Sequence, residues 1–208
     1  HTYHGSFPYY KQKNQVYVLA APTTYSQYYL YAVDLATGNM KQLTEEIVCD
    51  YVYADGMIYF LANERRDDIF HCLQDLYALD LATGKKQLLT VIDSDTTINA
   101  QFAAAKNGLY YRDKEDGSFL FWNRYTGKRE TVNSGSQVWN IYNQNGYIVA
   151  HFVETPENPY RLMVFAPSGQ TMKQVYATAD CSDKAVINAD GFLVYRLEGT
   201  NQLVQVQL

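Results

Sequence analysis

One phrase recurs along the chain. Residues 30–44 read LYAVDLATGNMKQLT, and residues 76–90 read LYALDLATGKKQLLT. Shorter copies follow at 120–132 (LFWNRYTGKRETV) and at 162–175 (LMVFAPSGQTMKQV). The glycines of the four copies, at positions 38, 84, 127 and 169, are separated by 42 to 46 residues. A repeat of this length, built from short strand-like runs, is typical of propeller blades.

A second series of turn signals has the same period. It consists of Asp55-Gly56, Asn107-Gly108, Asn145-Gly146 and Asp190-Gly191, with a weaker first copy at Asn14-Gln15. Asp-Gly and Asn-Gly favour the two-residue turns that join antiparallel strands. An apolar run follows each dipeptide, for example MIYFLA after Gly56. Since the two series alternate in constant order, each repeat is expected to be one antiparallel sheet.

Together the two series predict an all-β chain: a single β-propeller domain over residues 1–208, with about five four-stranded antiparallel blades. No segment has the period of a helix, so the expected helix content is close to nil. The fifth blade lacks its last strand, and we expect residues 1–5 to supply it and to close the ring. The alternative is a fragment of a larger propeller. The chain begins at His1, without Met, which predicts a mature or a trimmed form from which any leader or anchor has been removed.

The connections between strands fall into two classes. Within a blade, the first and third turns are minimal, and alternating strand direction places them at one end of the sheet. The other connections are long and unlike one another, and they lie at residues 21–28, 44–50, 63–75, 91–97, 154–160 and 177–184. Variable loops on a rigid scaffold usually carry binding residues. The end with the long connections is therefore the candidate binding face.

Charge supports this choice of face. The long connections contain far more acidic than basic residues, whereas the rest of the chain has the opposite excess and the whole chain has a net charge of −5. Such a face attracts cationic groups and repels nucleic acid and anionic lipid. The candidate binding residues are acids and aromatics in or beside these connections: Tyr25, Tyr28, Glu45, Glu46, Asp50, Asp67, Asp68, Asp93, Asp95, Trp139, Tyr160 and Asp183.

Other chemistries have weaker signals. The acidic loops could hold a Ca²⁺ ion through their oxygen ligands, but no dense calcium motif is present, and no other cofactor is expected. Paired carboxylates from Asp50, Asp93, Asp95 and Asp183 would suit a glycan-active enzyme, a glycoside hydrolase or lyase. No nucleophile or phosphate-binding motif accompanies them. The three cysteines are scattered, so buried free thiols are favoured over a Cys49–Cys72 bridge.

The phrase D-L-A-T-G-x-x-x-x-L-T at 34–44, nearly intact at 80–90, resembles the repeat of TolB-type bacterial propellers. Together with the apolar strand after Asp/Asn-Gly, it is also similar to uncharacterised extracytoplasmic bacterial propellers of the lipoprotein-receptor-like kind. The resemblance covers nearly the whole chain but identifies no catalytic residue. It implies a bacterial secreted or cell-envelope protein that works by binding. The acidic, aromatic-bearing face predicts a protein, peptide or glycan partner and argues against nucleic acid. No apolar run is long enough for this chain to insert into a membrane.

Overall fold

The computed structural model describes residues 9–22, 27–66, 71–95, 102–113, 115–133, 137–153, 160–168, 171–176, 185–197 and 199–208. Every regular element among these residues is a β-strand, and none is a helix. The expected near absence of helix is therefore confirmed for this part of the chain. It follows that the described residues contain no helix long and apolar enough to cross a membrane.

The chain divides into two compact units, His1–Val91 and Ile92–Leu208. The first unit holds two four-stranded antiparallel sheets, each ordered as its strands occur in the sequence. The strands of the first sheet are β1 (Tyr10–Gln12), β2 (Gln15–Ala20), β3 (Tyr29–Asp34) and β4 (Met40–Gln42). Those of the second sheet are β5 (Val48–Ala54), β6 (Met57–Arg66), β7 (His71–Asp80) and β8 (Lys86–Asp95).

The second unit holds three antiparallel sheets. The third sheet contains β9 (Phe102–Ala105), β10 (Gly108–Arg112), β11 (Phe119–Asn123) and β12 (Arg129–Asn133). The fourth contains β13 (Gln137–Gln144), β14 (Tyr147–Val153), β15 (Tyr160–Phe165) and β16 (Thr171–Tyr176). The fifth contains β17 (Val186–Ile187), β18 (Phe192–Arg196) and β19 (Leu203–Gln207). The segment expected to complete the fifth sheet, residues 1–5, lies outside the described residues.

The core of the first unit forms where the first sheet packs on the second. Leu30 from β3 and Phe60 from β6 are fully buried in one apolar cluster. The hydroxyl of Tyr51 in β5 donates to the carbonyl oxygen of Tyr17 in β2 over 2.9 Å. The rings of Tyr17 and Tyr53 stack with their centroids 5.7 Å apart. Aromatic strand residues therefore provide both the apolar area and the polar contacts that fix the packing.

The second unit has two apolar clusters, one on each side of the fourth sheet. Phe119 of β11 and Phe152 of β14 meet edge to face in the first cluster, 5.3 Å apart. Val149 and Leu162 contribute to the second cluster, together with Leu193 of the fifth sheet. Strands β14 and β15 are apolar on both faces because both faces are covered.

The DLATG phrase forms a turn that its own side chains stabilise. In the first sheet, Asp34 Oδ1 accepts hydrogen bonds from Ala36 N and Thr37 N, both at 2.9 Å. These bonds hold the pKa of Asp34 below its ordinary value. Gly38 closes the turn at φ +73°, a conformation that glycine adopts without strain. The repeat is therefore a turn signature and carries no chemistry of its own.

Two predicted loops are wrong in part. The connection at 63–75 is mostly strand, because β6 runs to Arg66 and β7 begins at His71. The register shifts between Ala62 and Arg65, where Asn63 has a φ of +56°. The connection at 91–97 is also strand as far as Asp95, since the apolar run through residues 88–92 continues β8.

Two of the three cysteines lie within the described residues. Cys49 is half-buried and Cys72 is buried, and both are free thiols. Burial and the nearby Glu64 carboxylate raise the pKa of Cys49 to about 11. Cys49 is therefore a weak nucleophile at neutral pH.

Candidate functional site

Each sheet has a turn end and a loop end. At the turn end of the first sheet, Leu35 N donates to Asn14 O over 2.7 Å, so the two short turns lie side by side. The same contact recurs in the second sheet between Leu81 N and Gly56 O, at 3.0 Å. Because neighbouring strands are antiparallel, the long connections leave from the opposite end. The predicted separation of short turns from long connections is confirmed within these sheets.

The connection from the first sheet to the second brings two candidate regions together. Val48 N donates to Tyr28 O over 2.8 Å, and Leu30 N donates to Thr44 Oγ1 over 3.2 Å. Tyr28 therefore lies beside the segment that carries Glu45 and Glu46. The Tyr28 ring is half-buried and packs against the apolar cluster of this unit, so it supports the connection more than it presents a surface.

Glu45 and Glu46 have different environments despite being neighbours. The Glu45 residue is exposed to solvent, whereas Glu46 is half-buried. Glu46 Oε1 forms an ion pair with Lys86 Nζ, and that ammonium group lies 5.5 Å from the centroid of the Tyr77 ring. Lys86 partly neutralises the negative charge predicted for this end. Of the two carboxylates, only that of Glu45 is presented to solvent.

Asp50 lies in strand β5 and not in the preceding connection. Its Oδ1 accepts a hydrogen bond from Tyr51 N over 2.8 Å, at a register shift between Val48 and Asp50. Burial, together with the charge of Asp50, raises the pKa of the neighbouring Tyr10 to about 12. Asp50 is a half-buried carboxylate at the loop end of the second sheet.

The other candidate acids do not form a described cluster. Asp93 and Asp95 belong to the backbone of β8, so the prediction that they occupy a loop is wrong. Tyr160 is the first residue of β15 and pairs with Val153. The remaining candidates lie outside the described residues: Tyr25, Asp67, Asp68 and Asp183.

Trp139 is the exposed aromatic residue at the loop end of the fourth sheet. It lies in β13, where the pairing jumps from Val138 opposite Phe152 to Asn140 opposite His151. Trp139 is therefore the extra residue of a β-bulge, a feature that redirects side chains near functional sites. The residue is 42% exposed, far more than a tryptophan that fills a core.

A polar network that the sequence does not reveal lies at the loop end of the second sheet. Asp75 Oδ1 accepts from Arg65 Nη2 over 2.6 Å, and Asp75 Oδ2 accepts from Asn63 Nδ2 over 3.0 Å. Burial by itself raises the pKa of Asp75, but the hydrogen bonds from Arg65 and Asn63 outweigh it and lower the value. Burial, with the charges of Asp75 and Glu46, raises the pKa of Tyr77. The Asp75 carboxylate is held by its own strands and serves structure.

A second hidden network lies in the fourth sheet. Tyr142 Oη lies 3.1 Å from Ala185 O and 3.0 Å from His151 Nε2. A carbonyl oxygen only accepts, so the hydroxyl proton goes to Ala185 O, and His151 Nε2 carries a proton that it donates to Tyr142. Burial lowers the pKa of His151 from its ordinary 6.5 to about 4. His151 Nδ1 and Asn140 Oδ1 are buried acceptors without a partner among the described residues.

The described side chains at the loop ends offer few groups for metal binding or acid catalysis and two for surface contacts. The described residues contain no group of three or more His, Cys, Asp or Glu side chains that could hold a metal ion. Of the four acids considered for glycan cleavage, the structure describes the side chain of Asp50 alone. An exposed carboxylate at Glu45 and an exposed indole at Trp139 are suited to cationic and flat apolar surfaces.

No protein-family model and no curated protein matches the chain. Solved structures do match. One, from a study of two prolyl endopeptidases, is 12% identical with a TM-score of 0.59, and the match covers 96% of this chain and 34% of the other. The oligogalacturonate lyase of Vibrio parahaemolyticus is 11% identical with a TM-score of 0.53, over 92% of this chain and 58% of the other.

TolB from Acinetobacter baumannii is also among the matches, at 15% identity and a TM-score of 0.49, over 91% of this chain and 48% of the other. TolB, whose repeat the phrase at 34–44 resembles, is thus among the matched structures. The chain spans between a third and three fifths of the length of these three proteins. Its fold class is that of the β-propeller proteins, with five antiparallel sheets of the blade type.

Proposed function

We propose that this chain is a binding propeller of the bacterial cell envelope or secreted fraction. It holds a protein, peptide or glycan partner at the loop ends of its sheets, without catalysis. The observation that carries this proposal is the contrast between the two ends of a sheet. Short turns tied to each other, as Leu35 is to Asn14, occupy one end, and connections without a common sequence occupy the other. Variation in loops on a constant frame is how propeller-like scaffolds acquire partners.

Two described residues supply the chemistry. Glu45 presents a carboxylate to solvent at the loop end of the first sheet. Trp139 presents an indole at the loop end of the fourth, with a flat face for sugars or apolar side chains and an N–H group for a hydrogen bond. Each residue is assigned to the loop end of its own sheet, and each is tested by itself.

The location outside the cytoplasm rests on the resemblance of the repeat to TolB-type and extracytoplasmic propellers. A test of location is direct: fractionate cells that produce the full-length natural protein, and detect it with an antibody. Recovery from the periplasm, the envelope or the medium supports the proposal. Recovery from the cytoplasm alone contradicts it.

Binding is tested with a lysine-rich peptide and a panel of neutral and acidic oligosaccharides, by isothermal titration. If the loop ends bind these ligands, Glu45→Gln should lower the affinity for the peptide about fivefold. Trp139→Ala should lower the affinity for a glycan by about the same factor, as expected for the loss of one exposed contact. Asp190→Asn is the matched control, since it removes one exposed negative charge at a turn end and leaves an Asn-Gly turn like those of the third and fourth sheets. Equal losses in the control and in Glu45→Gln would contradict the assignment of the face.

A glycan-active enzyme is the second candidate. The fold is similar to that of an oligogalacturonate lyase, and Asp50 places a half-buried carboxylate at a loop end. Incubation with oligogalacturonates, with and without Mn²⁺, followed by ultraviolet detection of unsaturated products, tests this reaction. Product formation that Asp50→Asn abolishes would replace the binding proposal. Intact oligosaccharides after prolonged incubation would support binding without cleavage of this substrate.

A further inference from the structure

The turn of the third sheet differs from its counterparts in composition. Where the first two sheets read Asp-Leu-Ala-Thr-Gly, at 34–38 and 80–84, the third reads Asn-Arg-Tyr-Thr-Gly at 123–127. An acidic residue is replaced by a neutral one, a leucine by arginine and an alanine by tyrosine. Lys128 and Arg129 follow directly. The third turn therefore has no acid, one more basic residue than the second and an added aromatic ring.

The backbone of the turn is unchanged by these replacements. Asn123 Oδ1 accepts from Tyr125 N at 2.9 Å and from Thr126 N at 3.2 Å, as Asp34 Oδ1 does from its own turn. Gly127 has a φ of +67°, close to that of Gly38 in the first sheet. Arginine and tyrosine are therefore not needed to form the turn, and another role must account for them.

The structure brings the Arg124 and Tyr125 side chains together over the turn before them. Arg124 N donates to Asn107 O, which ties this turn to the turn before it, at 3.0 Å. Arg124 Nη1 and Tyr125 Oη both point back to Lys106 O, at 3.3 and 3.5 Å. The guanidinium carbon lies 5.2 Å from the centroid of the Tyr125 ring. The basic corner is defined here as Lys106, Arg124, Tyr125, Lys128 and Arg129.

The basic corner faces solvent and is held in place. Tyr125 is 66% exposed, whereas most tyrosines with described side chains are buried or half-buried. Lys106, Lys128 and Arg129 are exposed as well. The next acid, Glu130, pairs with Phe121 in the sheet and its charge acts on the buried Tyr110. The corner thus presents positive charge around an exposed aromatic ring.

We propose that the basic corner is a docking site for a short acidic segment of a protein partner. Arginine and tyrosine are enriched among the residues that contribute most to protein interfaces. The arginine and tyrosine side chains are already oriented by Lys106 O, so less entropy is lost on binding. Nucleic acid and anionic membranes are bound by longer basic surfaces than this single corner, whereas a short acidic segment matches its size.

This site is independent of the loop-end proposal, because it lies at the turn end of the third sheet. If the basic corner binds no acidic segment, the assignment of Glu45 and Trp139 to the binding face is not affected. Conversely, a chain that binds nothing at its loop ends could still dock an acidic segment here.

The test uses the whole chain and a fluorescent oligoglutamate peptide, with binding measured by fluorescence anisotropy at low and at physiological salt. The variant Asn123→Asp/Arg124→Leu/Tyr125→Ala restores the turn of the first two sheets, so the chain's own repeat shows that the turn can fold. We expect about tenfold weaker binding and a smaller salt dependence. Lys41→Gln, a loss of one exposed charge in the first sheet, is the control and should change affinity less than twofold.

A gain-of-function variant keeps the test decisive if the first variant loses stability. Asp55→Lys/Asp80→Asn/Leu81→Arg/Ala82→Tyr transfers the corner to the second sheet, where Asp55 holds the position of Lys106, and should strengthen oligoglutamate binding about threefold or more. Unchanged binding in both variants would overturn the proposal. Tighter binding of duplex DNA or of anionic vesicles than of oligoglutamate would also overturn it, since the site would then favour another class of polyanion.

Discussion

Because His151 is buried, we expect the free energy of unfolding to fall in mild acid. The substitution His151→Gln should remove this part of the pH dependence. His151 is 1% exposed and donates through Nε2 to the hydroxyl of Tyr142, which in turn donates to Ala185 O. A second proton on this ring would sit at Nδ1, which has no partner among the described residues. His151→Gln keeps an N–H donor near Tyr142 but cannot take up a proton.

The size and sign of the effect follow from the pKa of His151, which burial lowers from 6.5 to about 4. Between these values the unfolded chain binds a proton that the folded chain does not. The stabilisation is complete above pH 6.5 and is lost as the pH falls towards 4. At 1.36 kcal/mol for each pH unit, the free energy of unfolding drops by about 3 kcal/mol between pH 7 and pH 4 through this residue.

The two tryptophans provide a local probe, because Trp122 and Trp139 both lie in the unit that contains His151. Urea unfolding followed by tryptophan fluorescence at several pH values gives the free energy of unfolding of the wild type and of His151→Gln. Carboxylates titrate in both proteins and cancel in the difference. The free energy of unfolding of the variant, taken relative to that of the wild type, should rise by about 3 kcal/mol between pH 7 and pH 4. If this difference in the free energy of unfolding does not change with pH, His151 is not buried in its neutral form.

Two further substitutions test the fold at other places. Asp75→Asn should lower the free energy of unfolding by about 1–2 kcal/mol, a value reduced because Arg65 is half exposed, and an unchanged urea midpoint would show that the pair is not formed. Gly108→Ala should destabilise by 3 kcal/mol or more, roughly, since the new Cβ would overlap the carbonyl oxygen of Trp122. Gly38→Ala, with no atom within 4 Å and a positive φ, should cost only about 1 kcal/mol, so equal effects of the two glycine variants would contradict the packing of Gly108.

Local chemistry explains why most of the fold follows from the sequence. Asp-Gly and Asn-Gly turns and the DLATG phrase are signals that act within a few residues, and the strands between them end close to where these signals place them. Strand β13, for example, ends at Gln144, directly before the Asn145-Gly146 turn signal. The error in β8 has the opposite origin, since residues 93–95 read Asp-Ser-Asp, which is typical of a turn, and yet the strand continues to Asp95.

The candidate site is less predictable because its character depends on contacts between distant residues. Lys86 reaches Glu46 across 40 positions, so the sequence alone overstates the free negative charge of that segment. Asp75 and Arg65 meet only because β6 and β7 pair beyond the predicted end of the hairpin. Neither pairing has a local signal. The exposed Glu45 and Trp139, by contrast, are candidates that the sequence does identify.

The central claim is that short turns gather at one end of each sheet and variable connections at the other. Amide hydrogen exchange measured residue by residue tests it most directly. The amides of Leu35, Leu81 and Arg124 should be protected, because each donates to the carbonyl oxygen of the adjacent turn at 2.7–3.0 Å, while the amide of the exposed Glu45 should exchange rapidly. Rapid exchange at all three turn residues, as fast as at Glu45, would contradict the account.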